Sequence, residues 1–251
     1  MIYFAHRGAA HYAPENTAPA FKKALQMGAK AVELDVHLSA DGTVVVHHDY
    51  ELDRTAGASV RIEEQIFEDL EKYNVAAHMP GWKGGERMLS LQEALKLLGP
   101  RTLVNVELKN DDGLYPALEP EVLHVCRRRL KKTLFSSFDH DTMKRLRLLE
   151  PEARLGVLVN GLDFEEAFRT AKAVGAESLH LSLRKLSPAV LARAHDAGLK
   201  VYVYTVDRVD AASLAKALGA DGLFTNRPDL EQEMRDAEQL LKKSSGRKKN
   251  A

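Results

Sequence analysis

Two histidines, three carboxylates and two cations fall at or near the ends of apolar, β-rich runs in this chain. His6 and Arg7 close the run that begins at residue 2. Glu33 and Asp35 lie within the run 30–37, His48 ends a run that starts at residue 43, and Glu107 and Lys109 end the run 102–109. Acidic side chains within otherwise apolar strands are costly without a partner. Residues two apart share a strand face, so Glu33 pairs with Asp35 and Glu107 with Lys109. Three carboxylates drawn together repel, and some keep their protons unless a divalent cation joins them. An oxygen-only ligand set suits Mg²⁺ or Ca²⁺ rather than zinc. The competing reading pairs the same carboxylates with barrel cations such as Lys109. Imidazoles titrate near ~6.5, which suits acid–base work at neutral pH. Phosphodiester cleavage needs one base and one acid, each contributing ~10²–10⁴ in rate, and Arg7 and Lys109 supply positive charge for a phosphate. The set reads as a metal-assisted phosphate site with its own acid and base.

The surrounding pattern says how these groups meet. Eight short apolar runs are predicted as buried strands, at 2–6, 30–37, 102–109, 133–138, 153–159, 178–182, 200–206 and 221–225. Helical patterns follow most of them, at 17–27, 116–130, 139–149, 164–174, 188–197, 209–218 and 228–241. Strands alternating with helices in this length predict a (β/α)₈ TIM barrel, which places its chemistry at the carboxyl ends of the strands. Asp41-Gly42 between two β-rich runs predicts a hairpin that returns His48 beside Glu33 and Asp35. Adjacent residues on a strand point to opposite faces, so His47 faces away where His48 faces in. Residues 49–89 form a small polar insertion after the second strand, expected as a lid or substrate wall without a core of its own. One domain is expected over 1–241, with a polar, disordered tail over 242–251.

Composition narrows the partners. Of 251 residues, 36 are basic and 36 acidic, and zero net charge argues against bulk electrostatic attraction to nucleic acid or membranes. No apolar run approaches the ~20 residues of a membrane span, and no room for a leader precedes His6. The lone Cys126 fits a reducing compartment. A cytoplasmic protein acting on a small molecule is the expectation; oligomeric state is open.

At these motifs the chain resembles the glycerophosphodiester phosphodiesterase family. The likeness runs through His6-Arg7-Gly8, Pro14-Glu15-Asn16-Thr17, Glu33-Leu34-Asp35-Val36 and Asp41 to Asp49. It continues in Leu52-Asp53-Arg54-Thr55, Asn105-Val106-Glu107-Leu108-Lys109, Ser136-Ser137-Phe138-Asp139, Tyr204-Thr205-Val206 and Asp221 to Pro228. The resemblance implies a phosphodiesterase-type barrel that hydrolyses a glycerophosphodiester to glycerol 3-phosphate and an alcohol, within glycerol and lipid metabolism. It further implies Glu33, Asp35 and Glu107 as holders of one divalent cation, His6 and His48 as base and acid, and Arg7 and Lys109 on the phosphate. Glu15 is implied near the metal, as ligand or second shell. Tyr204 stands where the family often has Trp, and keeps an aromatic substrate wall; Asp207 stands where it often has Asn. The attacking oxygen, from water or from the glycerol 2-hydroxyl, is left open.

Other groups carry less. His180 lies within a strand and is a candidate for second-shell duty if it points inward. His11 is expected at the surface, and His37, His78, His124, His140 and His195 as structural or solvated. Trp82 lines the pocket or packs the insertion, and Cys126 is a small buried residue. The alternatives are a lysophospholipase D or phospholipase C-like activity on the same barrel, and a non-catalytic phosphodiester binder.

Overall fold

The structure, a computed structural model, describes residues 1–159 and 164–247. Its strands in chain order are β1 (Ile2–Ala5), β2 (Ala31–Leu38), β3 (Val44–Val46), β4 (Leu89–Ser90) and β5 (Leu103–Leu108). They continue as β6 (Thr133–Ser137), β7 (Arg154–Leu158), β8 (Ser178–Ser182), β9 (Lys200–Tyr204) and β10 (Gly222–Thr225). β1, β2 and β5 to β10 are parallel, and β1 pairs with both β2 and β10, so eight strands close into a barrel with helices between them. Each of the eight predicted runs coincides with one barrel strand, β2 reaching one residue further, to Leu38.

The strand sequences explain the two layers. Leu34 and Val36 of β2, Val104 and Val106 of β5, and Leu179 and Leu181 of β8 face outward into the main core beneath the helices. The alternate residues face the barrel axis, where Phe4, Ala31, Leu134, Tyr202 and Phe224 form a separate apolar plug. Above that plug the inward residues change to Glu33, Asn105 and His180, then to His6, Asp35, Glu107 and Lys109.

The Asp41-Gly42 turn behaves as predicted: β3 folds back antiparallel on β2, with Val36 opposite Val46. The His47 amide then donates to the Asp35 carbonyl at 3.1 Å, which delivers His48 to the mouth of the barrel. The insertion differs from its expectation in two ways. It carries a small core, in which Leu52, Ile62, Leu70, Val75 and Met88 pack with Val45 of β3. Its scattered apolar residues are far apart in sequence, so only folding collects them. It also lines none of the pocket at the barrel mouth: Trp82 lines a separate surface pocket together with Tyr12, Pro19 and Lys22. At the other end, the last helix, Leu230–Arg247, runs into the segment expected as a disordered tail. Lysines are good helix formers, and no proline stops the helix after Leu241. Residues 248–251 lie outside the described ones.

One glycine is required by this packing. Gly8 has φ +84°, and a Cβ there would lie 2.7 Å from the backbone carbon of Ala20, in the helix Ala18–Gln26. Gly8→Ala should destabilise the protein by about 2–4 kcal/mol, combining a left-handed backbone with overpacking. Thermal unfolding checks this; an unchanged melting temperature would show that the helix can step aside.

Candidate active site

His6, Arg7, Glu33, His48, Asn105, Glu107, Lys109, Phe138, His180 and Tyr204 line one pocket of about 200 Å³ at the carboxyl ends of the strands. That is room for several water molecules or a small phosphodiester. The structure thus brings together both histidines, Arg7, Lys109 and the aromatic Tyr204 singled out in the sequence.

The carboxylates come from adjacent strands. Asp35 and Glu107 are register partners on β2 and β5, with Glu33 one inward step below Asp35. One oxygen from each of Glu33, Asp35 and Glu107 lies within 4.8 Å of the others, and all three side chains are buried. Burial, then the charges of Asp35 and Glu107, push the Glu33 carboxyl well above its ordinary range. Burial would do the same to Asp35, but Lys109 and Arg7 outweigh it and hold that carboxyl low. The Lys109 ammonium bonds to Glu107 and lies 3.0 Å from Asp35, so part of the competing cation-pairing reading is present. Burial works against that ammonium, yet Asp35 and Glu107 keep its pKa above the usual lysine value. The Arg7 Nε lies 3.3 Å from Asp35 and the Arg7 amide donates to Glu33 Oε2 at 2.8 Å. Three ionised carboxylates would exceed the two cations by one charge, and one buried carboxylate oxygen, Glu33 Oε1, has no hydrogen-bond partner. The donor set therefore fits a hard divalent cation.

The two imidazoles are held differently. His6 Nδ1 donates to Asn226 Oδ1 at 2.8 Å. The orientation of that amide is set by Asp207, which accepts from Asn226 Nδ2 at 2.8 Å and from its backbone N–H at 2.7 Å. His6 Nε2 is left as the lone-pair nitrogen, 4.0 Å from Glu33. Burial, then the Arg7 charge, pull the His6 pKa down to about 4. His48 Nδ1 donates instead to the Asp49 carboxylate at 2.6 Å, and Arg54 Nε donates to the other Asp49 oxygen at 2.6 Å. His47 is turned away from the pocket, against Thr55.

Glu15 lies outside the carboxylate cluster. It accepts from Arg7 at 2.9 Å and from both terminal nitrogens of Arg54 at 2.6 and 3.1 Å. Burial opposes its ionisation, but hydrogen bonds from Arg54 and the charge of Arg7 hold its pKa at about 2. It stands behind Arg7 and apart from the three clustered carboxylates. His180 points inward, as its candidacy required. Its Nε2 meets Ser178 at 3.0 Å, its ring lies 5.1 Å from Phe224, and burial pulls its pKa to about 3. Tyr204 stands edge-on to Phe138 with ring centres 6.2 Å apart.

Four further residues, Asn16, Arg54, Asp207 and Asn226, hold these groups in place. Asn16 donates to Asp35 at 2.9 Å from a backbone with φ +58°, a conformation asparagine tolerates better than most residues. Arg54 links Glu15 to Asp49, and Asp207 and Asn226 orient His6. His37 was expected as structural or solvated; it is fully buried.

An eight-stranded barrel with paired imidazoles, an acidic cluster and two cations at its mouth has the equipment of a hydrolase acting on an anionic ester. Residues 6–230 match the glycerophosphoryl diester phosphodiesterase family. A glycerophosphodiester phosphodiesterase of Caldanaerobacter subterraneus is 31% identical over 231 residues, 91% of this chain and 95% of the relative. One from Bacillus altitudinis is 30% identical, covering 93% of this chain and 97% of its own. An Oleispira antarctica phosphodiesterase, solved with its product sn-glycerol-3-phosphate, is 27% identical with a TM-score of 0.87, covering 94% of this chain and 97% of that one. The chain belongs to the glycerophosphoryl diester phosphodiesterase family and is an enzyme of that kind.

The raised Glu33 carboxyl has a measurable consequence. Unfolded, it ionises above its ordinary 4.5; folded and metal-free, it holds its proton to higher pH. The unfolded state then binds fewer protons, so stability falls as pH rises from about 4.5 towards the folded value. Glu33→Gln should remove that slope and stabilise the chelated protein at pH 7–8 by about 1–4 kcal/mol. Melting temperatures from pH 4 to 8 in EDTA check this, and a variant less stable at every pH would contradict it.

Proposed function

We propose that this protein hydrolyses glycerophosphodiesters to glycerol 3-phosphate and an alcohol, with a divalent cation, Mg²⁺ or Ca²⁺, and with His6 as base and His48 as acid. One observation carries the reading: two imidazoles face one pocket, and their outer nitrogens have different partners. Asn226 occupies His6 Nδ1 with a neutral amide oxygen, which leaves Nε2 able to accept a proton. Asp49 occupies His48 Nδ1 with a carboxylate oxygen, which fixes the ring and leaves Nε2 as the nitrogen that faces the pocket.

Charge supports the cation. The substrate phosphate is a monoanion, and with all three carboxylates ionised the inner shell of Glu33, Asp35, Glu107, Arg7 and Lys109 is itself one charge negative. A divalent cation held by Glu33, Asp35 and Glu107 would reverse that sign and supply Lewis-acid stabilisation to a phosphate oxygen. Arg7 and Lys109 adjoin the same place and serve the charge that grows on the phosphoryl oxygens. His6 Nε2 takes the proton of the attacking oxygen, from water or the glycerol 2-hydroxyl, and His48 Nε2 protonates the departing alkoxide; on the 2-hydroxyl route water then opens the cyclic phosphate to give glycerol 3-phosphate. Phe138, Leu158, Tyr204 and Phe224 offer an apolar wall to the substrate's carbon chain. No described helix is long and apolar enough to cross a membrane. A cytoplasmic setting is part of this proposal. Cys126 takes no part, being buried with its thiol pushed up to about 12.

Purified protein incubated with glycerophosphocholine or glycerophosphoethanolamine should release glycerol 3-phosphate with Mg²⁺ or Ca²⁺ and none with EDTA. His6→Ala and His48→Ala should each lower kcat by about 10²–10⁴ while the fold persists by circular dichroism. Turnover in EDTA, or near-normal rates in either variant, would reject the assignment.

A further inference from the structure

We propose that His37 is a positioning residue for His48, acting through the His48 backbone carbonyl with Tyr115 behind it; this rests on the reading of His48 as catalytic. β3 ends at Val46, so no ladder bond reaches His48. His37 Nε2 donates to the His48 carbonyl at 3.2 Å instead. A carbonyl only accepts, so Nε2 carries the hydrogen, and Nδ1 meets the Tyr115 hydroxyl at 3.1 Å. The side chain of His48 is held by Asp49 and its main chain by His37, which together set where Nε2 points.

The brace is anchored from two directions. His37 stands edge-on to Tyr50 and Tyr115, at ring-centre distances of 4.8 and 5.8 Å. Tyr50 follows Asp49, and its hydroxyl accepts from the Asp111 amide at 2.9 Å. Tyr115 is clamped by the Asn110 side chain, which accepts from its N–H at 2.7 Å and donates to its carbonyl at 3.2 Å. Asn110 and Asp111 directly follow Lys109. The loop carrying the acid is thereby tied to the strand end carrying a phosphate cation, through a histidine outside the pocket lining.

The bland alternative is a satisfied core histidine. It predicts losses that track stability and fall equally on every substrate. A positioning role predicts the signature of His48 itself. The test compares His37→Leu, His37→Gln, Tyr115→Phe, His48→Ala and His37→Leu/His48→Ala in Mg²⁺. The substrates are glycerophosphoethanolamine, whose alkoxide needs a proton to leave, and the p-nitrophenyl ester of glycerol 3-phosphate, which keeps the 2-hydroxyl and whose nitrophenolate leaves without a proton.

His37→Leu should lower kcat on glycerophosphoethanolamine by about 10–100-fold, the scale of a small misplacement, with KM within about twofold. It should cost less than about threefold on the nitrophenyl ester, as His48→Ala should. In the His48→Ala background it should cost less than about twofold more, since its effect passes through the missing imidazole. His37→Gln, whose amide can both donate and accept, should recover most of the rate. Multiplicative losses in the double variant, or equal losses on both substrates, would overturn the proposal. If His37→Leu fails to fold, Tyr115→Phe decides: a kcat within twofold of the parent rejects the brace. His48→Ala with a normal rate on glycerophosphoethanolamine would instead refute the catalytic reading of His48.

Discussion

Holding three carboxylates within 4.8 Å of one another inside a protein is the constraint that organises this molecule. Each would be costly to bury alone, and together they repel. The neighbouring structure is arranged around that cost. Arg7 adopts φ +53°, a rare backbone for arginine, and so presents its amide to Glu33 and its guanidinium to Asp35. Asn16, also left-handed, gives Asp35 a further donor. Lys109 covers the other side of Asp35 and Glu107. Two cations cannot balance three ionised carboxylates, and Glu33, buried beside the charges of Asp35 and Glu107, is the carboxyl that holds its proton longest.

A second ring of charges keeps the first in place. Glu15 holds Arg7 from behind, Arg54 holds Glu15, and the same Arg54 reaches Asp49, which holds His48. On the opposite side Asp207 orients Asn226, which orients His6. These chains share one physical purpose. An imidazole acts at a definite nitrogen only if its other nitrogen has a fixed partner, and an arginine reaches an anion reproducibly only if its own rotamers are restricted. The insertion contributes here as a brace, through Asp49 and Arg54, while the pocket wall comes from barrel strands and their ends.

The barrel accounts for the site's position. Its lower interior is filled by Phe4, Leu134, Tyr202 and Phe224, so polar inward residues accumulate only towards the carboxyl ends of the strands. His180 marks the boundary, with aromatic rings beside it and the pocket above. Gly156 leaves space for it, because a Cβ there would fall 2.4 Å from the His180 ring.

What the sequence determined by itself was periodic or local. Alternating apolar runs and helical patterns specify strands and helices, because burial on both sheet faces demands them, and Asp41-Gly42 specifies a hairpin through its turn geometry. The ionisable residues stood out because charges inside apolar runs are expensive, and their placement at strand ends followed from the barrel. Hydrogen-bond partners were not legible. Asn226 meets His6 across 220 positions, Arg54 meets Glu15 across 39, and His37 meets Tyr115 across 78. No local pattern encodes such pairs, since they arise only when strands distant in the chain become neighbours around a closed barrel. The small core of the insertion was hidden for the same reason. Residue types thus announce which chemistry is present, whereas the tertiary structure decides which nitrogen faces the pocket, which carboxyl keeps its proton longest, and which neighbours hold them there.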